Sequence, residues 1–175
     1  DLVRYKKKVV AQASSEKNRI IRVLEDGNVK LSSVLTNVDG AVGTRIINSL
    51  IEGKTDVEEL AKFYHGKIKV SKSEFKLALE GKITKHHQFM LQLHRDSIAE
   101  KERLIQRIDE QIDQAIEAYQ IEIDLLQTIP GVGKDSAISI ISEIGTDMSI
   151  FPDENHLSSW AGMSPGNNES GGKKK

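Results

Sequence analysis

The sequence has no cysteine. That excludes disulfide staples, thiolate metal sites and cysteine nucleophiles, and it fits a reducing cytosol. Proline is nearly as scarce: three residues, at 130, 152 and 165, leave residues 1–129 without any. No apolar run approaches the roughly 20 residues that span a bilayer, so no membrane partner is expected. The opening Asp1-Leu2-Val3-Arg4-Tyr5-Lys6 lacks both the apolar stretch of a secretory leader and an initiator methionine, and a fragment of a longer protein is expected. Charge of one sign is not in excess either. Twenty-five Lys+Arg oppose 26 Asp+Glu, so bulk charge gives no argument for nucleic-acid binding. What is there, 38% hydrophobic and 29% charged over 175 residues, describes neither a disordered tail nor a membrane protein, and suits one ordinary domain or two small ones.

The charge balance hides an asymmetry. Residues 67–95 carry seven bases, from Lys67 and Lys69 to Arg95, against Glu74 and Glu80; residues 96–124 carry nine acids against Lys101, Arg103 and Arg107. The first 30 residues are basic again, with Lys6, Lys7, Lys8, Lys17, Arg19 and Arg22. A basic helix can meet an acidic one within the fold or across a dimer, or it can track phosphates.

Without proline and with little β-branched alternation, helices are expected throughout, an all-α chain. Residues 1–25 read as one helix ended by Asp26-Gly27-Asn28. Shorter helices are expected near 28–36, 43–52, 55–65 and 72–80. Thr55 with Glu58 and Ser71 with Glu74 have capping-box spacing, and Gly40, Gly43, Gly53, Gly66 and Gly81 punctuate the segments. From Thr84 to Tyr119 the positions 91, 94, 98, 101, 105, 108, 112, 115 and 119 step by three and four. Seven of these nine hold apolar or aromatic residues, a coiled-coil-like stripe. Such a helix has to cover its stripe with the first helix, with a second copy of the chain, or with both; both are expected, making a homo-oligomer through the long helix.

After it, Leu125-Leu126-Gln127-Thr128-Ile129-Pro130-Gly131-Val132-Gly133-Lys134 predicts helix, tight turn, helix, with Gly145 closing the second helix. Gly-apolar-Gly-Lys resembles the helix-hairpin-helix motif, in which Gly131 and Gly133 would let backbone N–H groups approach a phosphate and Lys134 would add a point charge. Asp135 after the lysine excludes a P-loop, and Ser136 stands where a dinucleotide fingerprint needs glycine. Residues 135–154 hold five acids and no base, which opposes DNA. An ordinary turn between packed helices is the plainer reading.

In the remainder, a short helix is expected over residues 156–160, and Phe151, Leu157 and Trp160 read as core pieces of a small subdomain. The last eleven residues read as a loop. His86, His87 and His94 lack the partners of a zinc site, so no metal ligands are assigned. Asp56, Glu58 and Glu59 read as charges favouring a helix N-terminus.

Thr128-Ile-Pro-Gly-Val-Gly, Ser142-Glu-Ile-Gly145, Phe151-Pro152 and Leu157-Ser-Ser-Trp-Ala-Gly-Met-Ser-Pro-Gly-Asn-Asn-Glu-Ser-Gly-Gly-Lys173 closely resemble the C-terminal transposase domain of the insertion-sequence 110/116/902 group. The likeness is specific over residues 125–175 and looser over 1–124. It implies two regions: a helical, coiled-coil part over 1–124, and the N-terminal part of a transposase domain over 125–175, with a truncated helix-hairpin-helix-like turn. It implies a bacterial or archaeal cytoplasmic enzyme that recombines DNA, in some members with a guide RNA. Ser170 falls where the group places its nucleophile, Gly171 and Gly172 would permit close backbone approach, and Lys173, Lys174 and Lys175 would neutralise phosphate charge. The group's Mg²⁺ belongs to an acidic RuvC-like domain whose ligands match no residue here, so no cofactor is assigned to this chain, and the chain alone is expected to be inactive. Two rivals need no catalysis: a helix-hairpin-helix DNA-binding module, and a coiled-coil assembly protein.

Overall fold

A computed structural model of the chain describes residues 1–162 and, beyond them, the backbone of residues 169–170 and 173–174. The fold is all-α, and it divides into two compact units, residues 1–114 and 115–175.

In the first unit, α1 (Leu2–Asp26) buries Val9, Ala13, Ile20 and Leu24. The steps between them are helical multiples, so one stripe faces inward. Its partner is α6 (Lys85–Ile116), which buries Leu91, His94, Ile98, Ile108 and Ile112. Three polar contacts set the direction of packing: Lys6 Nζ to Asp109 at 2.5 Å, His94 Nδ1 to Glu16 at 2.7 Å and His87 Nε2 to Asp26 at 2.9 Å. Numbers rise along one helix as they fall along the other, so α1 and α6 run antiparallel.

Short helices fill the space beside this pair: α2 (Leu31–Val34), α3 (Ala41–Ile51), α4 (Val57–Leu60), which runs on as a 3₁₀ turn at Ala61–Phe63, and α5 (Lys72–Leu79). Ile20, Leu24, Leu31, Ile46, Ile47, Leu50, Leu60, Phe75, Leu79, Leu91 and Ile98 form one core from all six helices. Each fully buried side chain of this size contributes about 1.5–3 kcal/mol relative to exposure. Tyr64 stacks at 57° on Phe75, ring centroids 5.5 Å apart, and its hydroxyl donates to the Val70 carbonyl at 2.9 Å.

Caps mark the helix starts. Ser71 and Glu74 form the expected reciprocal capping box on α5. The box expected at Thr55 moves by one residue: Asp56 is the N-cap and accepts from the Glu58 N–H, with Glu58 and Glu59 in the first turn. A carboxylate accepts as well as a hydroxyl and adds charge at the positive helix end, so Asp56 prevails. Gly43 is not punctuation either. It lies buried inside α3, and a Cβ there would overlap the Val38 carbonyl oxygen. Gly81 serves a second close crossing, where a Cβ would overlap the Gly27 carbonyl oxygen. There the chain segments are tied by Lys82 N–H to Gly27 at 2.7 Å and Lys30 N–H to Ala78 at 2.8 Å.

The long helix is shorter than its pattern. It ends at Ile116, gives way to a 3₁₀ turn at Glu117–Tyr119, and restarts as α7 (Gln120–Gln127). The stripe is buried or half-buried through Ile112, but Ala115 and Tyr119 are exposed. The second unit contains α7, α8 (Lys134–Ile144), a 3₁₀ turn at Met148–Ile150 and α9 (Glu154–Trp160). Within the stretch expected as loop, β1 (Glu169–Ser170) pairs antiparallel with β2 (Lys173–Lys174).

Candidate nucleic-acid interface

Unit 115–175 is organised by a helical hairpin. Ile123 on α7 and Ala137 and Ile138 on α8 are its buried residues among those described, and α7 packs on α8. Between them, α7 stops at Gln127, the Thr128 hydroxyl donates back to the Leu125 carbonyl at 2.8 Å, and the Val132 N–H closes a turn on Ile129 at 3.0 Å. Pro130 and Gly131 hold the two central places of that turn. Gly131 has φ +87°, a conformation that glycine alone adopts at little cost.

Gly133 is different. As N-cap of α8 it has φ −84° and ψ 173°, which any residue adopts, and a Cβ there would meet nothing within 4 Å. Neither backbone strain nor packing demands glycine at 133. Its effect is to leave the start of α8 uncovered: it supplies no side-chain cap, and the first helical bond is Ala137 N–H to Gly133 at 3.0 Å. Lys134 is the first residue of the helix and Asp135 lies in its first turn, so one charge of each sign stands beside those amides. At the far end Gly145 (φ +72°) closes α8 as expected.

The surroundings are acidic. Asp147 accepts from the Ser149 hydroxyl and N–H, and those bonds hold its carboxyl below the ordinary aspartate value. Asp153 caps α9, and hydrogen bonds from the His156 ring and N–H do the same there. Both are thus firmly negative at neutral pH, and neither offers a phosphate a partner.

Phe151 meets Trp160 edge-on, ring centroids 6.1 Å apart. Phe151 and Leu157 are half-buried, but Trp160, expected in the core, is 54% exposed. It stands at the last position of the seven-residue helix α9.

Of the remaining expected site residues, Ser170 stands in register opposite Lys173, and Glu169 opposite Lys174. Gly171, Gly172 and Lys175 lie outside the described residues. The histidines are occupied otherwise: the His87 ring contacts Asp26 and accepts from the Thr84 N–H, and His94 contacts Glu16. Among the described residues no three His, Asp or Glu side chains gather as metal ligands.

Residues 123–175 match the model of the Transposase IS116/IS110/IS902 family. The match starts within α7, and takes in the turn, α8, α9 and Ser170. Neither the curated proteins nor the solved structures contain a match to the chain. No helix among the described residues is long and apolar enough to cross a membrane.

What sequence reasoning missed here is the difference between the two glycines, since Gly131 and Gly133 look alike in the motif. Thr36 lines one cleft with His65, Lys67 and Lys69, and that approach comes from tertiary packing, which local spacing does not report.

Proposed function

We propose that the chain is part of a DNA transposase in which Ser170 supplies the nucleophile. The observation that carries this reading is the family match over residues 123–175, which includes Ser170. In the proposed step the serine oxygen forms a bond to a backbone phosphorus as the bond from that phosphorus to a ribose oxygen breaks. The serine proton is lost and the displaced ribose oxygen takes one up. The strand is then held as a phosphoserine ester, so the number of phosphoester bonds is unchanged and rejoining needs no outside energy. Lys173, Lys174 and Lys175 would offset the charge of the DNA there.

The turn at 131–134 would hold a neighbouring phosphate in the manner of a helix-hairpin-helix. Supporting it is the open start of α8 behind Gly133, where a helix N-terminus favours an anion. The Mg²⁺ of the RuvC-like domain would find no ligand set among the described residues, and no step here runs through it. A guide RNA and assembly into oligomers belong to the same proposal; the long helix would then offer a second copy a face other than the stripe that α1 covers.

The test is made on the protein that carries this chain, supplied with the ends of its element. Ser170→Ala abolishes recombination, and digestion of a trapped reaction yields DNA on the peptide around Ser170. Full recombination by that variant ends the catalytic assignment. If DNA binding survives with no chemistry in either protein, the chain is a binding module.

A further inference from the structure

Three cavities in unit 1–114 differ in sign. One places Lys30 beside Glu74 and Glu80; another places Lys17 and Arg95 beside Asp39 and Glu102, with Lys17 paired to Asp39 at 3.4 Å. The third, about 210 Å³, lies between the segment leading into α3 and the loop after the 3₁₀ turn. Its lining includes Thr36, Gly40, Val42, His65, Lys67 and Lys69 and no acid. In the other two, cations and carboxylates offset one another; among the lining residues here nothing does.

The lining comes from two chain segments, residues 34–42 and 65–69. The Ile68 N–H bonds the His65 carbonyl at 3.0 Å, turning the loop so that Lys67 and Lys69 line the same cleft as His65. The Lys67 N–H donates to His65 Nδ1 at 3.2 Å, which leaves the other ring nitrogen as the donor. Gly40 caps α3 without a side-chain acceptor, so the cleft also has helix-start amides at one wall. The lining residues thus offer two ammonium groups, an imidazole, a hydroxyl and helix-start amides, drawn from two chain segments, with His65, Lys67 and Lys69 exposed to solvent. A tetrahedral oxyanion matches that set better than a planar carboxylate, and lysine serves phosphate as a point charge. Size narrows it further. The cavity is below the roughly 300–1,000 Å³ of sites that enclose whole cofactors, so it accepts a group and not a nucleotide.

We propose that this cleft is a phosphate-binding site. It lies outside the segment that matches the transposase family and does not rest on Ser170. The phosphate would come from a nucleic-acid backbone or be free in solution, and the same experiment distinguishes them. The whole chain is labelled with ¹⁵N and titrated separately with inorganic phosphate and with a DNA duplex lacking terminal phosphates. The amides of Ala41, Val42, Lys67 and Lys69 shift. Lys67→Gln with Lys69→Gln weakens that response at least tenfold and lowers the salt slope of duplex binding by about two. Lys54→Gln, which removes a lysine paired at 2.6 Å with Glu52, leaves the response unchanged. Shifts with duplex alone identify a backbone phosphate; shifts with inorganic phosphate alone identify the free ion; either supports the site. The proposal is overturned if neither ligand moves these amides, or if the double variant responds like the parent.

Discussion

His94 Nδ1 and Glu16 Oε2 lie 2.7 Å apart in the seam between α1 and α6, each at the place its stripe reserves for an apolar residue. On α1, Glu16 stands between Ala13 and Ile20; on α6, His94 stands between Leu91 and Ile98. Glu16 also accepts from Arg19 at 2.8 Å. One polar pair inside an apolar seam satisfies itself only in one register, because a slip would leave both groups against hydrocarbon. Glu16→Ala therefore costs about 1–3 kcal/mol, read as a fall in the urea midpoint. Glu16→Gln keeps an acceptor oxygen and costs less. Equal midpoints for Glu16→Ala and the parent would show that the pair contributes nothing.

Gly43→Ala drives a methyl into a backbone oxygen of Val38, and backbone cannot rotate away as a side chain can. The expected loss is about 1–3 kcal/mol or more, by thermal or urea unfolding. Gly66→Ala, where a Cβ meets nothing within 4 Å, is the control and changes little.

Gly131→Ala and Gly133→Ala separate conformation from access. At 131 the positive φ makes alanine cost about 1–2 kcal/mol, with no packing clash to add. At 133 alanine leaves stability nearly unchanged. If the start of α8 takes a phosphate, Gly133→Ala nonetheless weakens DNA binding, measured by fluorescence anisotropy at low salt. A stability loss at 133 equal to that at 131 would contradict the assignment.

Ser71→Ala removes the α5 cap and costs about 1 kcal/mol near neutral pH. The same change alters acid stability. Hydrogen bonds from the Ser71 hydroxyl and N–H hold the Glu74 carboxyl below the ordinary glutamate value of 4.5. A depressed folded value means that the stabilisation is present above 4.5 and is lost as pH falls through the lower, folded value. The difference in melting temperature between the parent and Ser71→Ala thus narrows below pH 4.5. A gap that widens on acidification would refute this.

The first and last helices of unit 1–114 were legible because periodicity over 25 or more residues leaves little freedom. Ser71 and Glu74, the hairpin at 130 and Gly145 were legible because a turn or cap requires particular residue types. Gly43 was misread since a buried close approach and a chain break use the same letter. The break after Ile116 was hidden by a stripe that continues in sequence past the point where the structure covers it. At the candidate site the turn could be read locally, whereas the basic cleft could not: Thr36 and His65 line it together only because packing brings the segment before α3 to the loop after the 3₁₀ turn.

The α1–α6 seam joins residues far apart along the chain, with Asp26 to His87 separated by 61 positions and Glu16 to His94 by 78. Closing loops of that size costs entropy before the seam can reward it, so docking of the two longest helices is expected to come late in folding. Synthesis reaches α6 after α1 is already waiting. A protein deprived of its first 26 residues would complete its longest helix with a bare greasy edge, and would be expected to clump during refolding while the intact chain stays in solution.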